Sequence, residues 1–276
     1  MSISITQVDS FTDTPFRGNP AGVCVLSEPR SEQWMQNIAR EMNLSETAFL
    51  VRNPDDVFHL RWFTPALEVD LCGHATLASA HVLWEEGHLD SHEVAKFDTL
   101  SGRLEARLDG DWISMNFPAE PPKAIDAPTA LAQSIPGVTF RWVGANRLDY
   151  HVEVATEDEV RQVEPDFSSM KKLDVRGVIV TARANESSDY DFVSRYFAPL
   201  FGVDEDPVTG SAHCCLGPYW ATKLNREEVV GYQASPRGGI VKVRPQGNRV
   251  QLSGQAITTM NATLMEAALE PTPSST

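Results

Sequence analysis

The segment EVDLCGHATLASAHVLW, from Glu68 to Trp84, constrains the fold of this chain more than any other. From His74 it predicts a helix that ends at Gly87, with apolar residues on every side of the helix and not along one face only. A helix of this kind must be enclosed by other elements of the fold. The sequence therefore predicts a unit in which strands surround one buried central helix.

The same arrangement occurs twice along the chain. RWFTP at 61–65 precedes GHA at 73–75 and an apolar helix, and RYFAP at 195–199 precedes GSA at 210–212 and a second apolar run. We expect Pro218 to kink or shorten that second helix, because proline lacks the N–H of a helix interior. The copies lie about half a chain apart, with the proline-rich PAEPPKAIDAP between them. We interpret the pattern as an internal duplication.

The duplication predicts the fold class and the domains. We expect an α+β protein of two pseudo-symmetric halves, each a strongly curved β-sheet or barrel wrapped around a central helix. The first half is 1–118, the linker is 119–128 and the second half is 129–276, with the last residues able to pack back on the first half. Other expected elements include a strand at 3–8 and a helix capped by Ser31 that runs to about Met42.

Composition excludes several classes of protein. The formal net charge of −15 argues against nucleic acid or an anionic membrane surface as a partner. No window approaches the roughly 18 apolar residues of a membrane span, and residues 1–10 lack the pattern of a signal peptide. The four cysteines include no Cys-x-x-Cys pair, which disfavours a disulfide framework or structural zinc. We expect a cytoplasmic protein, and we keep a homodimer as an option.

The two helix starts predict an anion site. A helix start carries unpaired N–H groups and a partial positive charge, and Gly73 and Gly210 let a ligand approach the backbone closely. If the two halves pack with pseudo-two-fold symmetry, both starts face one cleft, which would bind a small carboxylate. The positive end of the helix dipole should also keep His74 neutral.

A metal site built on histidines is not expected. His74, His81 and His88 are spaced by seven residues and could share a helix face. Successive members would then lie about 10 Å apart along the helix, which is too far for one ion. We therefore predict no metal site.

Four motifs resemble those of one family. FRGNPAGV, NLSETAF, FTPALEVDLCGHATLASAH and DEDPVTGSAH are similar to segments of the PhzF family of phenazine biosynthesis-like proteins, which share the diaminopimelate epimerase fold. The resemblance implies a cofactor-independent isomerase that moves a proton within a small, unsaturated or cyclic carboxylic acid. It implies a substrate contact for Asn19 and catalytic roles for four residues, Glu46, His74, Asp206 and Ser211.

Two alternatives remain open. The related epimerases use two cysteines, but here Cys72 stands at the first position and Thr209 at the second. Threonine is neither an acid nor a base near neutral pH, so a racemase or epimerase that uses Cys72 would need another partner. The other alternative is a non-catalytic ligand-binding or interaction protein on the same fold, in which Ser211 only caps a helix.

Overall fold

The structure is a computed structural model that describes residues 2–269, so the predicted ends of the halves at residues 1 and 276 lie outside the described residues. The described chain is α+β and has more residues in strands than in helices. The strands are β1 (Ser4–Ser10), β2 (Asn19–Leu26), β3 (Glu46–Arg52), β4 (Phe58–Phe63), β5 (Glu68–Val69), β6 (Ala95–Thr99), β7 (Gly102–Asp109), β8 (Trp112–Pro118), β9 (Lys123–Ala124), β10 (Trp142–Ala145), β11 (Asp149–Glu153), β12 (Gly177–Arg183), β13 (Phe192–Phe197), β14 (Val229–Gln233), β15 (Gly239–Gln246), β16 (Arg249–Gly254) and β17 (Ala256–Thr263).

The helices are fewer and differ in length. They are α1 (Glu32–Met42), α2 (Gly73–Glu85), α3 (Thr129–Ser134), α4 (Glu157–Arg161), α5 (Phe167–Met170) and α6 (Gly210–Leu224). Single 3₁₀ turns lie at Pro199–Phe201 and Glu266–Ala268. Ser31 caps α1 as predicted, because its hydroxyl accepts a hydrogen bond from the amide of Trp34. No helix among residues 2–269 is both long and apolar enough to span a membrane.

The chain divides into two compact units. Unit 1 comprises the residues up to Asn116 together with those from Gly254 onward, and unit 2 is Phe117–Ser253. In unit 1, β1 pairs antiparallel with both β17 and β2, and β2 pairs parallel with β3. The sheet continues antiparallel to β4, parallel to β6, and antiparallel through β7 to β8.

Unit 2 repeats this order of pairings. β10 pairs antiparallel with β9 and β11, and β11 pairs parallel with β12. The sheet continues antiparallel to β13, parallel to β14, and antiparallel through β15 to β16. A helical segment links the second and third strands of each series, and α2 and α6 occupy equivalent places after the fourth. The shared order is what a duplication produces, and it confirms two pseudo-symmetric halves.

The long helix of each unit is buried within its own sheet. In α2 an unbroken run from His74 to Ala80 is buried, and the helix packs against β1, β2, β3 and β17. In α6 the run from Ala212 to Gly217 is buried, and the helix packs against β14 and β15. Burial over more than one full turn shows that neither helix has a solvent face there. The prediction of enclosed central helices is confirmed.

Pro218 does not shorten α6, which runs on to Leu224. A proline at this position leaves the carbonyl of Cys214 without its helical donor. The amide of Glu120 supplies the missing hydrogen bond at 3.0 Å. The expectation that the helix would end early is therefore wrong, because a neighbouring segment satisfies the freed carbonyl.

Residues 119–128, predicted as a linker, are hydrogen bonded into unit 2. Besides the bond from Glu120, the amide of Ala119 donates to the carbonyl of Asn248 and that of Ile125 to the carbonyl of Val143. Strand β9 lies within this segment and pairs with β10. The segment therefore contributes to the sheet of unit 2.

The two copies of the repeated motif make the same contacts. In each, the arginine donates two hydrogen bonds to a glutamate of the following segment and lies over the second aromatic ring of its own motif. The sets are Arg61 with Glu68 and Phe63, and Arg195 with Glu205 and Phe197. Such forked ion pairs fix the connection that leads to each central helix.

Candidate active site

The side chain of Glu46 is placed by the start of β3. Asn43 ends α1 in a left-handed conformation, with a φ of 51°, and the chain then turns into β3. Because β3 runs parallel to β2, Glu46 lies beside Ala21, close to the first residue of β2, Asn19. The hydroxyl of Ser45 donates to the side-chain oxygen of Asn19 at 3.3 Å. Two of the predicted site residues, Asn19 and Glu46, are thus brought together.

His74 joins them from the first turn of α2. Its Nδ1 lies 3.2 Å from Nδ2 of Asn19, and its Nε2 lies 3.0 Å from Oε2 of Glu46. Only 7 % of the His74 side chain and 18 % of the Glu46 side chain are exposed. The hydroxyl of Ser10 donates to the carbonyl of His74 at 2.9 Å, which fixes the helix start. Asn19, Glu46 and His74 therefore form one cluster in unit 1.

Oε2 of Glu46 and Nε2 of His74 are buried, and neither has a hydrogen bond of good geometry to any described residue. They are close enough to form an ion pair, but they are not aligned for a direct hydrogen bond. Buried polar atoms without a partner are rare and call for an explanation. A ligand that accepts from one atom and donates to the other would satisfy both.

The charge of His74 differs from the expectation. Burial alone would lower its pKa, but the sulfur of Cys72, which accepts a hydrogen bond from the protonated ring, and the carboxylate of Glu46 outweigh burial and raise the pKa well above the ordinary value. The prediction of a neutral imidazole is therefore wrong. The reason is that the carboxylate contacts the ring directly, whereas the helix dipole supplies only a partial charge.

Cys72 is the residue before α2, and its Sγ lies 3.5 Å from Nδ1 of His74. Burial, followed by the charge of Glu46, raises the pKa of this thiol. It is therefore protonated near neutral pH and is a poor nucleophile there. Its proximity to His74 could not be read from the spacing alone.

In unit 2, Asp206 is part of the turn that begins α6. Its Oδ2 accepts a 2.5 Å hydrogen bond from the hydroxyl of Thr209. Gln233 holds the same turn, because its side chain accepts from the Thr209 amide and donates to the Asp206 carbonyl. Gly210 is the first residue of α6 and Ser211 the second, just as Gly73 and His74 begin α2.

Ser211 does not cap α6, since the residue before the helix is Thr209. Its hydroxyl instead accepts a 3.0 Å hydrogen bond from Nη2 of Arg176, the residue before β12. Arg176 also makes a two-pronged ion pair with Asp149, which is almost fully buried and accepts a further hydrogen bond from Tyr196. No sequence motif marks Arg176, because only strand pairing brings it beside Ser211.

The histidines spaced by seven do not converge. Nε2 of His81 contacts Thr258 at 3.2 Å, and Nε2 of His88 lies 3.5 Å from Glu86. Within residues 2–269, the group of His, Cys, Asp and Glu side chains close enough to share an ion is a different one, namely Glu46, Cys72 and His74. Their ligand atoms all lie within 4.8 Å of one another.

Comparisons with known proteins give the same result as the motifs. The family model described as phenazine biosynthesis-like protein, PhzC-PhzF, matches residues 8–262. An uncharacterized isomerase of Halalkalibacterium halodurans is 51 % identical over 267 residues, which cover 96 % of this chain and 99 % of that protein.

Solved structures extend the likeness to the fold. The crystal structure of a PhzF family protein from Enterococcus faecalis aligns with a TM-score of 0.91 and 40 % identity, covering 96 % of this chain and all of that one. A hydroxyproline epimerase from Agrobacterium vitis, at 11 % identity, has a TM-score of 0.62 over 95 % of this chain and 92 % of that one, and shares the fold alone. The chain belongs to the PhzF family of phenazine biosynthesis-like proteins.

Proposed function

We propose that the protein is a cofactor-independent isomerase of the PhzF type, which moves a proton within a small, unsaturated or cyclic carboxylic acid. The proposal depends mainly on the buried, unpartnered pair of Glu46 Oε2 and His74 Nε2, 3.0 Å apart. Relatives named as isomerases, such as the one from Halalkalibacterium halodurans, support an isomerase-type reaction. The family membership supports the same class.

Glu46 is the proton carrier in this proposal. Its carboxylate removes a proton from one carbon of the substrate and returns it, as a carboxylic acid, to another carbon. The protonated imidazole of His74 beside it stabilises the negative charge that develops on the substrate between these two steps. Asn19 contacts Nδ1 of His74 and so fixes the orientation of the ring. A base and an adjacent cation suffice for a proton shift without a cofactor.

We assign recognition of the substrate carboxylate to helix starts, with Gly73 and Gly210 allowing close approach to the backbone. In unit 2 the guanidinium of Arg176 adds a full positive charge near the start of α6, next to the hydroxyl of Ser211. Asp206 and Ser211 keep the catalytic roles that the family resemblance implies for them. The cytoplasmic location, the homodimer kept as an option and the absence of nucleic-acid or membrane partners remain predictions from the sequence.

A second candidate is a racemase-type reaction that uses Cys72. The 3.5 Å separation of its Sγ from Nδ1 of His74 favours it, because a positively charged imidazole stabilises a neighbouring thiolate. The raised pKa of Cys72 disfavours it. Thr209, at the equivalent position of unit 2, is already hydrogen bonded to Asp206 and is not an acid or a base.

The test begins with a thermal-shift screen of small carboxylic acids, since a ligand at 100 times its Kd stabilises a protein by about 2.7 kcal/mol. Acids that raise the melting temperature are then incubated with the protein in D₂O, and NMR measures deuterium incorporation. An isomerase exchanges carbon-bound protons, and Glu46→Gln should slow the exchange about 10²–10⁴-fold.

The matched control is Glu105→Gln, which changes an exposed glutamate of β7. This variant should keep the wild-type exchange rate. Stabilisation by an acid without any exchange in the wild-type protein would instead identify a non-catalytic binding protein. Exchange that survives Glu46→Gln would exclude the proposed role of Glu46.

A further inference from the structure

The cluster at the start of α2 also has the composition of a metal site. It combines one thiol, one imidazole and one carboxylate, from Cys72, His74 and Glu46, and all three ligand atoms lie within 4.8 Å of one another. Sulfur and nitrogen ligands favour Zn²⁺ and similar cations, whereas Mg²⁺ and Ca²⁺ prefer oxygen. We propose that these three residues bind one thiophilic divalent cation, such as Zn²⁺.

Two ligand atoms at a time lie at separations close to those of tetrahedral coordination. With Zn–S and Zn–N bonds of about 2.3 and 2.0 Å, the two ligand atoms of a tetrahedral site lie about 3.5 Å apart. Sγ of Cys72 and Nδ1 of His74 are 3.5 Å apart. On the other side of the ring, Nε2 of His74 and Oε2 of Glu46 are 3.0 Å apart. A single cation binds only one ring nitrogen, so it can use one of these two pairs as it stands, and the remaining ligand has to move.

The third ligand atom lies within 4.8 Å of the other two, and a rotation of its side chain brings it to the cation. Glu46 is the side chain that moves most easily, because it has more rotatable bonds than Cys72 or His74. It is also 18 % exposed, against 7 % for His74. Binding through Nδ1 also requires Asn19, whose Nδ2 lies 3.2 Å from that atom, to turn aside. A water molecule would complete the tetrahedron, as in sites with three protein ligands.

A further observation points to a ligand here. Oε2 of Glu46 and Nε2 of His74 are buried and lack a hydrogen-bond partner among the described residues, so a cation that contacts either atom replaces only their mutual ion pair and breaks no hydrogen bond of that atom. The cation replaces the proton of the Cys72 thiol and that of the His74 imidazolium, which are released to solvent. Its affinity therefore rises with pH.

Binding of the cation requires no substrate, so it can be tested without an enzyme assay. It shares Glu46 and His74 with the proposed proton transfer, so a bound cation would inhibit that reaction. The binding itself does not depend on whether the proposed function is correct.

The experiment is a titration of the chelator-treated full chain with Co²⁺, followed by absorption. Co²⁺ bound by a thiolate in a tetrahedral site gives a sulfur-to-cobalt charge-transfer band in the near ultraviolet and intense visible bands. We expect both to saturate at about one Co²⁺ per chain and to disappear when Zn²⁺ is added. The thiolate band distinguishes this site from any exposed acidic group.

Three variants identify the ligands. Cys72→Ser should abolish the charge-transfer band, and Glu46→Gln should weaken Co²⁺ binding at least about tenfold, since losing even a residue that only orients a ligand costs that much. Cys214→Ala, which removes a buried cysteine of α6, should keep the full spectrum. Melting curves without metal check that each variant is folded.

Absence of the charge-transfer band in the wild-type protein at excess Co²⁺ would overturn the proposal. So would a band that persists in Cys72→Ser, or an unchanged Co²⁺ affinity in Glu46→Gln. If Cys72→Ser does not fold, Glu46→Gln decides alone, because it changes the least buried of the three side chains.

Discussion

Nε2 of His74 lies 3.0 Å from Oε2 of Glu46, although the two residues begin different elements. His74 lies in the first turn of α2, and Glu46 is the first residue of β3. They meet because α2 packs against both β2 and β3. The pair joins a carboxylate to an imidazole inside a largely buried environment, so the carboxylate stabilises the positive charge of the imidazole.

The first prediction concerns the titration of His74. Its pKa should lie well above 6.5 in the wild-type protein and fall in Glu46→Gln, where burial is no longer opposed by the carboxylate. His213 is an internal control, because burial lowers its pKa to about 4 in either protein. NMR of the imidazole signals against pH measures both. A His74 pKa that does not change in Glu46→Gln would show that the carboxylate does not contact the ring.

The same pair makes stability depend on pH. Because the pKa of His74 is raised on folding, its contribution to stability is fully present below about 6.5, the unfolded value, and is lost as the pH rises through the folded value. The advantage of the wild-type protein over Glu46→Gln should therefore shrink with rising pH. Urea unfolding across a pH series measures it, and a constant difference would contradict this assignment.

Replacing Cys72 by serine should leave most of the exchange rate intact. The thiol is buried, its pKa is raised, and Thr209 gives it no acid or base as a counterpart. We expect less than about a tenfold loss, against the 10²–10⁴-fold typical of a lost general base. Deuterium incorporation measures the rate once a melting curve shows that the variant is folded. If Cys72→Ser abolishes exchange and Glu46→Gln retains it, the racemase-type mechanism is correct.

Arg176 should be important for the stability of the protein. Arg176→Met would leave Asp149, which is 1 % exposed, as a buried carboxylate without its cation. Breaking a buried pair in this way costs about 3–5 kcal/mol of unfolding free energy. The control is Arg107→Met, whose pair with Glu105 is exposed and should change stability by less than about 1 kcal/mol. Equal effects of the two substitutions in urea unfolding would contradict the structure.

Gly18, in the turn before β2, should not tolerate a side chain. Its φ is +63°, and an added Cβ would lie 2.1 Å from the carbonyl oxygen of Ser10. Gly87 has a φ of +75° but no atom within 4 Å of such a Cβ. Gly87→Ala should therefore cost only the left-handed conformation, about 1–2 kcal/mol, and Gly18→Ala clearly more. Thermal or urea unfolding of both variants gives the comparison, and similar losses would mean that the turn can relax.

The sequence was sufficient to predict those parts of the fold whose signal is local or repeated. The all-round apolar pattern of α2, the cap at Ser31 and the repeated arginine motif each specify a nearby structure, and the architecture built from them is confirmed. The effect of Pro218 on α6 depends on a residue distant in sequence, because the donor that replaces its missing N–H is the amide of Glu120, almost a hundred residues earlier. A prediction from proline chemistry alone could not include that contact.

The candidate site also combines residues that sequence motifs identify with residues that only the fold brings to the site. Glu46 and His74 were identified through motifs, but their separation and the positive charge of the imidazole follow from strand pairing and packing. Arg176 and Gln233 lie outside every quoted motif, and they reach the start of α6 only because β12 and β14 belong to the same sheet. Side chains that support a site through the sheet carry no signal in the spacing of the sequence.

The pairing of β1 with β17 also determines the order in which this protein can fold on the ribosome. Ser4 faces Thr263, so β1 must wait until residue 263 has been translated before it meets this partner. Unit 2 is continuous, and all of its residues emerge before β17 does. During synthesis, therefore, the later unit can be complete while the earlier one still has an open edge at β1, which is the edge where a nascent chain would aggregate.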